Sequence, residues 1–201
     1  MIRQLADPAN AITVSGLVLS IVGIHFVLAG RLEIGVAVVL WALLADHLDG
    51  VVASRTLNRA KETGLVGKSL DSLADLVSAG IFPAVMLIKL CGGSVASLVT
   101  GAILVVASAL RLSYFNAVGL DGGCFIGVPT TYAVPLTAVM FLLAPLVPGN
   151  GFPFLFNIAL LVLACLHVAS VRIPRTTGWM YAVVTLFAIS ASAFLAVRGL
   201  S

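Results

Sequence analysis

Asp46, Asp49, Asp71 and Asp75 make up half of the eight acids in a chain of 201 residues, and they fall within one window of 30 residues. Helical residues three, four and seven apart share a face. Asp46, Asp49, Gly50 and Ala53 therefore form one stripe, and Gly67, Asp71, Asp75 and Ser78 a second. If the two helices are neighbours, four carboxylates meet. The helices carry no matching set of basic residues, so bound cations are the natural counter-charge. All-oxygen ligands favour Mg²⁺, Mn²⁺ or Ca²⁺ over zinc or copper. Two such ions about 4 Å apart form the usual clamp for displacement at phosphorus. Gly50, Ala53 and Gly67 leave room for a phosphate or nucleotide to lie against the backbone. A helix-pairing hydrogen bond or a proton path would explain one such Asp better than four. A membrane cation transporter is the alternative of another class and predicts ion flux, but the small residues beside the acids favour an enzyme.

The elements that must position these residues are membrane helices. Hydrophobic residues make up 61% of the chain and charged ones 9%, against about a quarter charged in soluble domains, and the mean hydropathy is +1.17. A crossing needs about 20 apolar residues. That ruler gives seven candidate spans, 11–30, 34–54, 69–88, 90–110, 128–147, 152–171 and 177–197, with a turn at Pro148-Gly149-Asn150-Gly151 dividing the fifth from the sixth. The expected fold is all-α, a polytopic transmembrane bundle of six to seven spans forming one integral membrane domain over 1–201. The first span exceeds the core of a signal peptide and reads as a retained helix.

Orientation follows from Lys and Arg, which accumulate on cytoplasmic flanks. With the N-terminus inside, Arg3, Arg55, Arg59, Lys61, Lys68, Arg111, Arg172 and Arg175 lie on the cytoplasmic side, and Arg31, Lys89 and Arg198 on the other. This excess puts both Asp pairs at the cytoplasmic face of the cytoplasmic membrane. The net charge of +3 needs no nucleic acid, since the basic residues sit at span ends. Cys91, Cys124 and Cys165 are far apart and read as small packing residues.

Asp46-His-Leu-Asp49-Gly50-Val-Val-Ala53, followed by Gly67-Lys-Ser-Leu-Asp71-Ser-Leu-Ala-Asp75, resembles the DxxDGxxAR…GxxxDxxxD signature of the CDP-alcohol phosphatidyltransferases. The run from Asp71 to Gly80 with Pro83 is most similar to the phosphatidylserine synthase branch. So are Arg111-Leu-Ser-Tyr-Phe-Asn116, Phe125-Ile-Gly-Val-Pro129 and Val171-Arg-Ile-Pro174, while Asn10-Ala-Ile-Thr13 resembles the family's opening. One departure stands out. The family has Ala-Arg where this chain has Ala53-Ser54-Arg55, and the interval to Gly67 is longer. Either Arg55 or Arg59 takes the place of the arginine that holds the diphosphate, or nucleotide binds somewhat differently.

The resemblance implies transfer of a phosphatidyl group from CDP-diacylglycerol to the hydroxyl of L-serine, giving phosphatidylserine and CMP, with two Mg²⁺ or Mn²⁺ ions. It implies metal binding by Asp46, Asp49, Asp71 and Asp75. Asp46, Gly50, Ala53, Arg55, Arg59, Gly67 and Asp71 would bind nucleotide, and Asp75 would serve as general base. Arg111 and Asn116 are the candidates for the acceptor, although Arg111 equally suits snorkelling or topology control. Glycerol phosphate, inositol phosphate and an archaeal lipid donor are the other substrates that the family chemistry allows. A homodimer is implied by the resemblance alone, and membrane lipid is the expected surroundings.

The remaining polar and aromatic residues have plainer readings. His25 and His167 are expected to make packing hydrogen bonds, and His47, one residue off the Asp46–Asp49 face, a supporting contact. Trp41, Trp179, Tyr114, Tyr132 and Tyr181 suit interfacial anchoring. Arg172 and Arg175 suit attraction to lipid headgroups. Gly16, Gly23 and Gly30, seven apart, suggest close helix packing.

Overall fold

The computed structural model describes residues 1–56, 59–149, 151–174 and 178–201, so Asn150 of the expected turn, Arg175 and the first residue of the last expected span lie outside the described residues. The first long helix, α1 (Pro8–Leu28), starts where Asp7 accepts a hydrogen bond from the Asn10 N–H at 3.1 Å and Pro8 supplies the first helical position. It packs along α2 (Leu32–Arg55). Gly16, Gly23 and Gly35 line that seam: a methyl group at Gly16 would lie 3.2 Å from the Ala45 Cβ, and one at Gly35 would lie 2.9 Å from the Gly23 carbonyl oxygen. Gly30 departs from the packing expectation. It has φ +83° and open space around it, because it turns the chain between the two helices.

The next helix begins earlier than hydropathy suggests. α3 (Lys61–Asp75), a π-helical segment (Leu76–Ile81) and α4 (Phe82–Leu90) form one 30-residue path. Phe82 N–H reaches back five residues to the Val77 carbonyl, and Pro83, which has no N–H, follows it. The path thus changes register immediately after Asp75. α5 (Val95–Val118) is offset from the expected 90–110 because Gly92 and Gly93 turn the chain at positive φ and Ser94 caps the new helix. Arg111 is therefore about two turns inside α5, rather than just beyond its end.

α6 (Ala133–Leu143) sits within a 17-residue apolar helical stretch, Thr130–Leu146, that is shorter than the other spans. α7 (Gly151–Val168) and α8 (Trp179–Leu200) complete the bundle. Among the described residues six helices are long and apolar enough to cross a membrane; the expected fifth span is the short one. The all-α expectation gains one feature, a small antiparallel ribbon in which β1 (Cys124–Ile126) pairs with β2 (Arg172–Pro174), Phe125 opposite Ile173.

The core centres on α2, whose Val36, Val39 and Leu40 are fully buried, and continues through Phe82, Met86, Leu104, Phe156 and Leu195. Trp41 departs from the interfacial expectation: it lies within α2, and its Nε1–H donates to Ser192 Oγ at 3.0 Å, while Ser192 donates to the Ala37 carbonyl at 2.9 Å. These bonds pin α8 to α2. Large apolar residues left exposed on α7 and α8, such as Phe154, Val162, Leu186 and Val197, suit lipid contact, so the chain is a multi-pass membrane protein. The ends that gather the acids are the start of α1, the end of α2, α3 and the end of α5.

Candidate active site

The α2 and α3 stripes meet as their spacing requires. Asp46, Asp49 and Asp71 each offer a carboxylate oxygen, and these oxygens lie within 4.8 Å of one another. Asp75 is outside that trio, but all four acids line a water-sized gap of about 10 Å³ together with Thr13 and Ser78. Asp49 is 7% exposed, and its Oδ2 accepts a hydrogen bond from the Thr13 hydroxyl of α1. None of the four acids forms an ion pair with Lys or Arg among the described residues. An all-oxygen donor set, clustered and without a protein counter-charge, fits a hard divalent cation.

On one side of the trio, Asp49 and Asp71 open onto a groove of about 230 Å³ lined also by Asn10, Gly50, Ala53, Arg59, Gly64, Gly67 and Lys68. Arg59 is held there by three bonds: Nε to Asp7 Oδ2 at 3.1 Å, Nη2 to Asp7 Oδ1 at 2.8 Å and Nη2 to Asn10 Oδ1 at 2.7 Å. Burial alone would raise the Asp7 carboxyl, but the Asn10 N–H and the Arg59 guanidinium outweigh it and hold the group below the ordinary carboxylate range. A methyl group at Gly67 would lie 2.7 Å from Arg59 Nη2, so glycine there lets the guanidinium cross α3; one at Gly50 would meet nothing within 4 Å. Of the two arginines in question, Arg59 lines the groove, whereas Arg55 is exposed at the end of α2 and lines none of the described cavities around the acids.

On the other side, Asp46, Asp71 and Asp75 open onto a chamber of about 410 Å³ between α2, α3, α5, the loop before α6, and α8. Arg111 lines it. The guanidinium carbon lies 5.5 Å from the Phe115 ring centre and 5.2 Å from that of Phe125, while Nε and Nη2 are buried without a hydrogen-bond partner among the described residues. At 7% exposure it is not a snorkelling side chain. Asn116 also lines the chamber, with its Nδ2 donating to Ser72 Oγ at 2.8 Å and its backbone carbonyl accepting from Lys68 Nζ at 3.1 Å. His47 packs edge-on against Tyr181, with ring centres 5.3 Å apart, and both line the chamber.

Sequence reasoning did not single out Asp7, Thr13 as a partner of Asp49, Lys68, Ser72 or Tyr181 as part of the site. A signal was available for one of them, since Thr13 lies three residues after Asn10 on α1 and so shares its face. Arg172 pairs with Asp121 at 2.8 Å on the exposed surface.

The family described as CDP-alcohol phosphatidyltransferase matches residues 7–170. An archaetidylserine synthase of Methanothermobacter thermautotrophicus is 31% identical over 152 residues, covering 74% of this chain and 61% of that protein. A CDP-diacylglycerol–serine O-phosphatidyltransferase of Helicobacter pylori is 28% identical over 177 residues, 83% of this chain and 71% of that protein. An archaetidylinositol phosphate synthase of M. thermautotrophicus is 27% identical over 168 residues, 81% and 78% of the two chains. The chain therefore spans about three-fifths of the length of the first of these relatives.

Proposed function

The chain belongs to the CDP-alcohol phosphatidyltransferase family, and from that premise we propose that it transfers the phosphatidyl group of CDP-diacylglycerol to the hydroxyl of L-serine, releasing CMP. The observation that carries the choice of acceptor is Arg111, a buried guanidinium with unpartnered N–H groups lining the same chamber as Asp46, Asp71 and Asp75. Such a group suits a carboxylate. A phosphorylated acceptor carries more negative charge, and among the described residues the other cation lining that chamber, Lys68, already donates to the Asn116 backbone carbonyl. The names of the serine-specific relatives support the same reading, while the inositol phosphate relative makes that acceptor the second to test.

In this reading the groove takes the nucleotide. Arg59, held by Asp7 and Asn10, faces the diphosphate, and Gly50, Ala53 and Gly67 let it approach the helix backbones. Asp46, Asp49 and Asp71, with Asp75 beside them, would hold two Mg²⁺ or Mn²⁺ ions. When bound, these would supply charge stabilisation to the diphosphate and to the departing CMP. Arg111 holds the serine carboxylate, and Asn116, which lines the same chamber, is the second residue offered to the acceptor. Asp75 reaches both the gap and the chamber and accepts the proton of the serine hydroxyl. The serine oxygen forms a bond to the lipid-linked phosphorus, and the bond from that phosphorus to the CMP oxygen breaks, its electron pair leaving with CMP. Fixing both reactants on opposite sides of one carboxylate cluster makes the displacement effectively intramolecular.

The excess of basic residues on the site end supports a cytoplasmic active site, where a soluble acceptor meets a lipid whose tails stay in the bilayer. The homodimer is carried over from the family resemblance. The deciding experiment offers the purified protein CDP-diacylglycerol or its archaeal ether-lipid counterpart, Mg²⁺ or Mn²⁺, and serine, glycerol phosphate or inositol phosphate separately. Metal-dependent CMP release is expected with serine. Release only with inositol phosphate would overturn the acceptor, and no release with any acceptor, together with cation flux in liposomes, would replace the enzyme by a transporter.

A further inference from the structure

His167 is placed to do more than fill space near the end of α7. Its Nδ1 is 3.0 Å from the Val128 carbonyl oxygen. A carbonyl only accepts, so Nδ1 carries the proton and Nε2 of the neutral ring is a bare acceptor. The residue is 1% exposed and Nε2 is buried without a partner among the described residues. The ring is held in this sense from outside: Val128 N–H donates to the Leu166 carbonyl at 3.0 Å and Gly127 N–H to the Val171 carbonyl at 2.8 Å. Gly127 has φ +75°, and a side chain there would run into the His167 carbonyl.

Arg111 shares with His167 the lining of a second cavity, of about 340 Å³, between α5 and α7. Its Nε and Nη2 are buried donors without acceptors. One side chain has what the other lacks. The Phe115 and Phe125 ring centres lie 5.5 and 5.2 Å from the guanidinium carbon, but an aromatic ring offers an N–H no lone-pair acceptor, so a further partner is needed to fix which N–H groups face the chamber.

We propose that His167 is a positioning residue for the acceptor site: in the acceptor-bound enzyme its Nε2, not bonded to Arg111 in this structure, takes a hydrogen bond from the guanidinium, directly or through one water, and so fixes which N–H groups Arg111 presents to the acceptor. This rests on the reading of Arg111 as the acceptor's carboxylate partner. His167 touches no reacting atom and acts through Arg111 alone.

The test is steady-state kinetics of the full chain in detergent with CDP-diacylglycerol, divalent metal and serine. His167→Phe keeps the ring but not the acceptor. The KM for serine should rise about tenfold or more, the scale of one lost hydrogen bond to a charged group, with kcat at saturating serine and the KM for CDP-diacylglycerol within about twofold of wild type. His167→Gln, whose amide can both donate to Val128 and accept from Arg111, should recover most of the serine KM. Should His167→Phe not fold, His167→Ala serves instead, with the same rise expected and added imidazole lowering it. A serine KM at the wild-type value in the folded variant, or a loss spread equally over both substrates that Gln does not recover, overturns the proposal. Arg111→Gln separates the two readings: an unchanged serine KM there refutes the role of Arg111 itself, whereas a raised one beside a wild-type His167 variant refutes only the role of His167.

Discussion

Gly50→Ala should make the protein more stable and less active. Gly50 is an exposed interior residue of α2, and a methyl group built on it meets nothing within 4 Å. Replacing an interior helical glycine by alanine is therefore worth about 0.5–1 kcal/mol of stability, with no packing penalty against the protein. Gly50 also lines the groove that Arg59, Gly67, Asp49 and Asp71 line. If the CDP group lies along that wall, the methyl group takes space the ligand needs, and overpacking of that kind costs about 1–3 kcal/mol. That corresponds to a rise of about 5- to 150-fold in the KM for the CDP-linked lipid. The assay is CMP release as a function of CDP-diacylglycerol at saturating serine and metal, beside thermal melts of the same preparations. Gly67→Ala is the contrast, because its methyl group would crowd Arg59 and Asn10 without any ligand, so stability and affinity should fall together. A Gly50→Ala protein that melts higher yet keeps the wild-type KM would refute the placement of the nucleotide.

Arg59→Ala should raise the KM for the CDP-lipid about tenfold or more, the scale of a hydrogen bond to a charged group, while Arg55→Ala stays within about twofold; the reverse order would assign the diphosphate contact to the exposed arginine. Thr13→Val removes the hydroxyl that donates to Asp49 at nearly constant volume. Loss of a partner behind a ligand typically costs 10- to 100-fold in metal affinity, so the metal concentration for half-maximal activity should rise by about tenfold, read from a Mn²⁺ titration. Asp75→Asn should lower kcat by about 10²- to 10⁴-fold while CDP-lipid binding and the melting temperature hold, and near-normal turnover would remove Asp75 as the base. The Asp7 carboxyl titrates below its ordinary value in the folded protein, so what its charge adds to stability is complete above the unfolded value of about 4 and is lost as pH falls through the folded one. The difference in melting temperature between wild type and Asp7→Asn should thus be constant above about pH 5 and shrink below about pH 4, and a gap that widens on acidification would contradict the Asp7–Arg59 clamp.

The sequence by itself determined the quartet of acids, their pairing on two helical stripes and their place at one end of a membrane bundle. Each of those follows from spacing along a single helix or from the cost of charge in lipid, and neither depends on how the chain packs. The structure decided what lies across the seams. Thr13 meets Asp49 and Asp7 meets Arg59 at separations of 36 and 52 residues, and although the Gly16–Gly23 spacing marks the side of α1 that packs closely, nothing in the sequence says which helix or which side chain it meets. Helix limits were equally hidden. Hydropathy sees the apolar run from Leu76 onward but not the polar turns of α3 before it, and the Gly92–Gly93 turn that moves the start of α5 places Arg111 inside the protein rather than at its rim. His167 reads as packing for the same reason: only when α7 is set against α5 and the Gly127–Val128 loop does its second nitrogen, bare and buried, share a cavity with the guanidinium that lacks an acceptor.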